Sequence, residues 1–429
     1  MRFLLLCLLA VVSVAAAEYP LRDAVEGTPR GGLPNVAAKI AAGKPIKVAY
    51  LGGSITAAPG WRVKTLAWFQ KQYPAAQFSE IHAAIGGTGS DLGVYRVGFD
   101  VLRHQPDLLF VEFAVNDSGA DPLEIQRGME GIVRQIWQAD AATDICYVYT
   151  LTGDMVKSLQ EGKYPRAASA MEAVADHYSI PSMHFGVEVV KRITADTLVF
   201  KAPEKPTAEE QAAIGTRTIF SHDNVHPIDA GHALYTEVVA RQVPTLLAGT
   251  AAPHVLKAPL VADNHERARL LPIDGLVKGD GLVKGDGWVK LDPASDQRAK
   301  SFGNRMPALY RAEKPGTSLT FRFTGTAVGF YDLLGPDCGQ VVVTIDGGAP
   351  RTIPRIDGYC TYHRISFLRL ASGLKEGEHT VDIRLDATVP DKAKILFSQN
   401  RADMEKNPAK YEGTRWYVGG LMLIGTLVE

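Results

Sequence analysis

From Lys47 to Val243, short apolar runs rich in β-branched residues alternate with longer stretches whose apolar positions recur every three or four residues. Such alternation marks βαβ units, in which crossover helices join parallel strands. The predicted strands are KVAYL (47–51), FSEIHAA (78–84), DLLFVEFA (107–114), ICYVYTL (145–151) and IPSMHF (180–185). Helical spacing is found over 60–74, 91–104, 122–140 and 168–178. The expected class is doubly wound α/β around a parallel sheet of five strands.

Beyond Trp288 the rhythm changes to period two. The runs SLTFRFTG, AVGFYDLL, GQVVVTIDGG, YHRISFLRLASG, HTVDIRLDA, AKILFSQ and WYVGGLMLIGTLV, separated by Gly, Pro and Asp turns, predict an antiparallel β-sandwich with no helix of useful length. Between the two textures lies a six-residue repeat starting at Asp274, Asp280 and Asp286. Asp-Gly at this interval suits tight turns in a lengthened connection, and the spacing matches no calcium loop. The expected organisation is an α/β unit over 18–248, a connection over 249–290 and a β-sandwich over 291–429.

Arg2, the apolar run Phe3–Val14 and Ala15–Ala17 read as a cleaved signal peptide over 1–17, so the mature chain is expected to be secreted or periplasmic. No later run reaches the length of a membrane span. Basic and acidic residues nearly cancel, 46 against 47, which disfavours nucleic acid as a partner. Beyond the leader three cysteines remain. Cys338 and Cys360, close together in the β-rich half, are expected to form a disulfide, and Cys146 is read as a buried thiol.

In an open parallel sheet, reactive groups gather at the carboxyl ends of the strands. There the sequence places Gly52-Gly53-Ser54-Ile55-Thr56, Ile85-Gly86-Gly87-Thr88-Gly89-Ser90, Val115-Asn116-Asp117 and, before the last α/β helix, Asp223-Asn224-Val225-His226-Pro227. A serine hydroxyl becomes a nucleophile when a base takes its proton, and His226 can do so. Asp223, three residues earlier, can orient the imidazole through its other nitrogen. These four segments, in this order, resemble the serine, glycine, asparagine and histidine blocks of the SGNH (GDSL-type) hydrolase superfamily, over about residues 45–243. The resemblance implies a flavodoxin-like sheet, nucleophile Ser54, base His226 and supporting Asp223. It also implies an oxyanion hole from the N–H groups of Ser54 and Gly87, with Gly86 the neighbouring alternative, and the amide of Asn116. Gly53 stands where the family commonly has aspartate, and His82 where many relatives have asparagine.

Arg96, Arg62 and Trp61, close after the serine and glycine blocks, are candidates to face a substrate, although packing roles would explain them equally. Ser54 could also be an ordinary helix cap. His222 is the competing base. His222, Asp223, His226 and His232 lack the spacing of a catalytic zinc site, and no metal or cofactor is expected. His82, His104, His177 and His184 read as core-edge or surface residues. The glycine turn lacks the ending of a phosphate loop.

Serine, histidine and oxyanion donors describe acyl transfer from an ester. An exported SGNH unit joined to a β-sandwich resembles carbohydrate esterases, which implies removal of O-acetyl or other short acyl groups from a polysaccharide or oligosaccharide. The alternatives are a secreted lipase or arylesterase with the same triad, a glycan-binding protein without turnover, and an acyltransferase.

Overall fold

The structure, a computed structural model, describes residues 19–277 and 287–428. The expected signal peptide and the repeat positions Asp280 and Asp286 lie outside the described residues. The first sheet contains β1 (Gly27–Thr28), β2 (Pro45–Gly52), β3 (Gln77–His82), β4 (Leu108–Glu112), β5 (Asp144–Tyr149) and β6 (Ser182–His184), in the spatial order β1-β6-β5-β4-β2-β3. β2 to β6 are parallel, as the sequence pattern predicts, and β1 adds an antiparallel edge that the pattern did not reveal. Counting only the parallel strands, the order is the flavodoxin-like 2-1-3-4-5. β4 and β5 are buried at every position, which is why they read as continuous apolar runs rather than alternating ones.

The chain leaves β2, crosses outward to β3 and returns to β4 on the other side of β2, so the connections diverge above β2 and β4. That switch point is where an open sheet leaves a crevice at its carboxyl edge. A separate parallel pair, β7 (Leu198–Lys201) with β8 (Thr218–Ser221), ends just before the segment whose His226 reaches Ser54.

The second sheet has nine antiparallel strands: β9 (Ala268–Pro272), β10 (Trp288–Lys290), β11 (Tyr310–Ala312), β12 (Ser318–Leu334), β13 (Gln340–Ile345), β14 (Arg351–Pro354), β15 (Arg364–Ala371), β16 (Gly377–Leu385) and β17 (Trp416–Leu427). β12 belongs to both layers of the sandwich. Its first half pairs with β16 and its second half with β15, while β17 follows it on the other side. The bend between the halves falls where Gly325 faces Gly425, both with positive φ; a side chain on either would collide with the opposite strand's carbonyl.

Three expectations are corrected here. AKILFSQ is not a strand but lies across two helical segments, Lys392–Ile395 and Ser398–Lys406. Asp391 caps the first by accepting from Lys394 N at 3.2 Å, and the Lys392 ammonium is buried against the carbonyls of Pro336, Tyr411 and Gly413. Cys338 and Cys360 are both free thiols: the first points at Leu333 O and the second at Asp357 Oδ1, so each is satisfied locally. Within the segment expected as a connection, β9 pairs with β17, and Asp274 accepts from Lys290 Nζ at 2.9 Å and from Tyr310 Oη at 2.7 Å.

The sandwich packs against the helix Ser90–Asp100 that follows the glycine turn. Ile85 and Leu92 share a buried cluster with Met306, Tyr331, Leu333 and Ile365. Arg305 donates to His82 O at 2.6 Å and pairs with Asp100 at 3.0 Å, which ties the sandwich to the end of β3.

Candidate active site

β2 ends at Gly52, and Ser54 opens the short helical turn Ser54–Ala57. Its N–H has no carbonyl within that turn to bond, which leaves it available at the crevice. His226 Nε2 lies 2.8 Å from Ser54 Oγ, and His226 Nδ1 lies 2.6 Å from Asp223 Oδ2. The other carboxylate oxygen of Asp223 accepts from the backbone N–H groups of Val225 at 2.9 Å and His226 at 2.7 Å. Partial burial opposes ionisation of Asp223, yet the bonds from the His226 ring and these two N–H groups outweigh it and hold the carboxyl well below the usual range. Asp223 is therefore ionised at neutral pH and accepts from Nδ1, leaving Nε2 facing Ser54. The ring of His222 turns instead to Ala202 O, 2.8 Å away.

The glycine and asparagine turns close in from the other side. Gly87 has φ +72°, so the turn requires glycine there although there is room for a methyl. A Cβ on Gly86 would stand 3.6 Å from Ser54 Cβ, which places that turn directly beside Ser54. Asn116 is exposed on the crevice, and its side-chain amide makes no hydrogen bond among the described residues. Its Oδ1 sits so close over Gly53 that any Cβ at position 53 would collide with it. Gly53 and the Asn116 amide are thus in direct contact.

Two further residues, which the sequence reading did not single out, hold these turns in place. Glu112, the last residue of β4, is 1% exposed; its carboxyl accepts from Thr56 Oγ1 at 2.8 Å and Thr150 Oγ1 at 2.7 Å. Burial raises its pKa, opposed by those two hydroxyls and by the N–H of Gly53. It ties the serine loop to the ends of β4 and β5. An acidic residue within the apolar run DLLFVEFA was its signal in the sequence. Asp117 accepts from Ser90 N at 3.0 Å and joins the asparagine turn to the glycine turn.

Burial lifts the Asp117 carboxyl to about 7, with the bond from Ser90 opposing and the nearby Asp91 adding to it. Below its ordinary value of 3.8 both the folded and unfolded chains hold the proton. Between that value and about 7 only the folded chain keeps it, so stability falls as pH rises through this window and levels off above it. The expected slope is about 1.4 kcal/mol per pH unit. In Asp117→Asn this component is absent, so melts between pH 4 and 7 should show Tm moving in favour of the variant as pH rises; a pH-independent difference would contradict the assignment.

The three residues expected to face a substrate do not. Arg96 is fully buried, bonded to Asp100 at 2.8 Å, to Gly52 O at 3.3 Å and to Ala83 O. Arg62 is buried, donates to Thr56 O at 3.0 Å and pairs with Glu80. Trp61 packs against Tyr50, Phe110 and Phe185. All three support the serine loop from behind. His232 does likewise: its ring accepts from Trp61 N at 3.1 Å, and burial pushes its pKa down to about 4. His184 is buried and stacks on Tyr164.

Among the described residues, one group, Asp337, Cys338 and His363, brings possible metal ligands together. Arg415 at 3.0 Å, Arg298 at 3.2 Å and the Tyr417 hydroxyl at 2.7 Å already occupy Asp337, and two guanidinium groups at this distance oppose a cation.

An acyl carbon placed against Ser54 Oγ would thus meet a hydroxyl with its base in hydrogen-bond contact, and an amide and backbone N–H groups on the adjoining turns. That is the equipment for acyl transfer.

Residues 50–234 match the model of the GDSL-like Lipase/Acylhydrolase family. No curated protein matches the chain. Among solved structures, the chain is similar to a two-domain esterase (CEX) active on acetylated mannans, with 21% identity and a TM-score of 0.69, over 94% of this chain and 98% of that one. The same esterase co-crystallised with mannopentaose aligns equally well over 94% and 96%. An acetyl xylan esterase, AlAXEase, aligns at 18% identity and a TM-score of 0.35 over 46% of this chain and 98% of that one. The likeness to the two-domain esterase spans both units, so the pairing of an α/β unit with a β-sheet unit is a shared fold.

Proposed function

Because the α/β unit belongs to the GDSL-like lipase/acylhydrolase family and the chain is a carboxylic ester hydrolase, we propose that it is an exported enzyme that removes O-acetyl groups from a polysaccharide or oligosaccharide. The observation that carries the catalytic part is the run of contacts from Asp223 through His226 to Ser54. His226 takes the Ser54 proton as Oγ attacks the acyl carbon, and Asp223 stabilises the imidazolium. The N–H groups of Ser54 and Gly87 and the Asn116 amide hold the oxyanion. His226 then returns the proton to the departing sugar hydroxyl, leaving the acyl group on Ser54. Water, deprotonated by the same ring, attacks this ester and releases the acid and the free serine.

The sugar part is supported by the fold shared along both units with an esterase active on acetylated mannans. Export is supported by the leader-like residues 1–17. Among the described residues no helix is long and apolar enough to cross a membrane. The test is a chain-length series of 4-nitrophenyl esters, followed by acetate release from acetylated mannan, xylan, xyloglucan and pectin. Preference for acetate over octanoate, with release from at least one glycan, is expected. Preference for octanoate would make the chain a lipase, and release from no glycan would overturn the carbohydrate assignment.

A further inference from the structure

A cavity of about 370 Å³ opens between the turns that follow β4 and β5. Ser118 contributes from the asparagine turn, Thr152 and Asp154 from the turn after β5, and Arg166 from the start of the helix Arg166–Tyr178. The turn that carries Thr152 and Asp154 touches the catalytic loop: Gly153 N, between them, donates to Asn224 O at 3.0 Å, and Asn224 lies between Asp223 and His226 in the chain. A Cβ on Gly153 would collide with the Asn224 side chain, so the two turns are in van der Waals contact.

The lining is neither apolar nor of one charge. Arg166 Nη2 is anchored to Ser118 O at 3.3 Å and Ala120 O at 3.0 Å, and its other N–H groups have no partner among the described residues. Asp154 is exposed and makes no ion pair among the described residues. An anionic ligand would meet Asp154, and a cationic one Arg166. A neutral polyol gains from both, through charge-assisted bonds to separate hydroxyls. Leu21 and Met155 supply an apolar surface for the C–H face of a ring.

We propose that this cavity is a subsite for the sugar unit next to the acylated one, so that the enzyme selects an oligomer rather than an isolated acetate ester. The proposal rests on the carbohydrate-esterase reading above. Asp154 accepts from hydroxyls of that neighbouring unit, Arg166 donates to them, and the ring lies over Leu21 and Met155.

The experiment compares kcat/KM for an acetylated oligosaccharide with that for 4-nitrophenyl acetate in the wild type, in Asp154→Ala and in Leu21→Trp, which fills the cavity from its outer wall. Loss of one charge-assisted bond should lower the ratio of the two constants about tenfold in Asp154→Ala. Leu21→Trp should lower it in the same sense. Unchanged ratios in both variants overturn the subsite, including the case where both activities fall together through misfolding. Should the wild type cleave 4-nitrophenyl acetate but deacetylate no glycan, the carbohydrate reading fails and the subsite with it.

Discussion

Ser54→Ala is expected to lower kcat/KM for 4-nitrophenyl acetate by about 10⁴-fold or more while leaving Tm nearly unchanged. The size follows from the chemistry: with the hydroxyl gone no acyl-enzyme forms, and only the oxyanion donors remain to help water attack directly. Tm should hold because the removed oxygen bonds only to His226 at 2.8 Å, at a site open to solvent. His226→Ala should cost a similar factor. The double variant should be little worse than either single one, since base and nucleophile act as a unit. Steady-state kinetics with active-site titration checks this, and more than about 1% residual turnover in purified Ser54→Ala would remove Ser54 from the mechanism.

Asn116→Ala should reduce kcat about 10²- to 10³-fold with little change in KM, because an oxyanion donor acts on charge that develops only in the transition state. Gly53→Ala should shift kcat in the same direction. Its new methyl would occupy the position of Asn116 Oδ1, and the amide, as the far end of a flexible side chain, is what gives way. If Gly53 matters through Asn116, Gly53→Ala placed on Asn116→Ala should lower kcat by much less than it does alone. Full additivity of the two losses would mean that position 53 acts by another route.

Much of the fold is legible in the chain because burial imposes periodicity. β4 and β5 are buried throughout and apolar apart from Glu112 and Asp144 at their ends, since helices cover both faces of the sheet, and the turns between elements carry their own glycine chemistry. AKILFSQ misleads for the same reason: its apolar residues fill a small cluster beside Cys360 from helical turns, and a run so short has no period that separates strand from helix. The edge strand β1 has only two residues, too few to show any pattern.

Arg62, Arg96 and Trp61 mark where local position stops being informative. Each follows an active-site turn in sequence, yet a helix after such a turn presents one face to the crevice and the opposite face to the sheet. All three side chains lie on the sheet side. Gly53 and Asn116 are the converse case. They are 63 positions apart, and only the β2–β4 adjacency shows that one lies over the other.

Local order along this chain, then, determined the parallel strands of the first sheet, most long strands of the second and the residue types able to do acyl chemistry, since periodicity and turn composition are properties of neighbouring residues. Which side chains meet was decided by the crossing of strands at the switch point and by the approach of the segment after β8 to the end of β2. Those contacts join Ser54 to His226, Glu112 to Thr56 and Thr150, and Asn224 to Gly153, and each forms only when segments far apart in sequence are packed together.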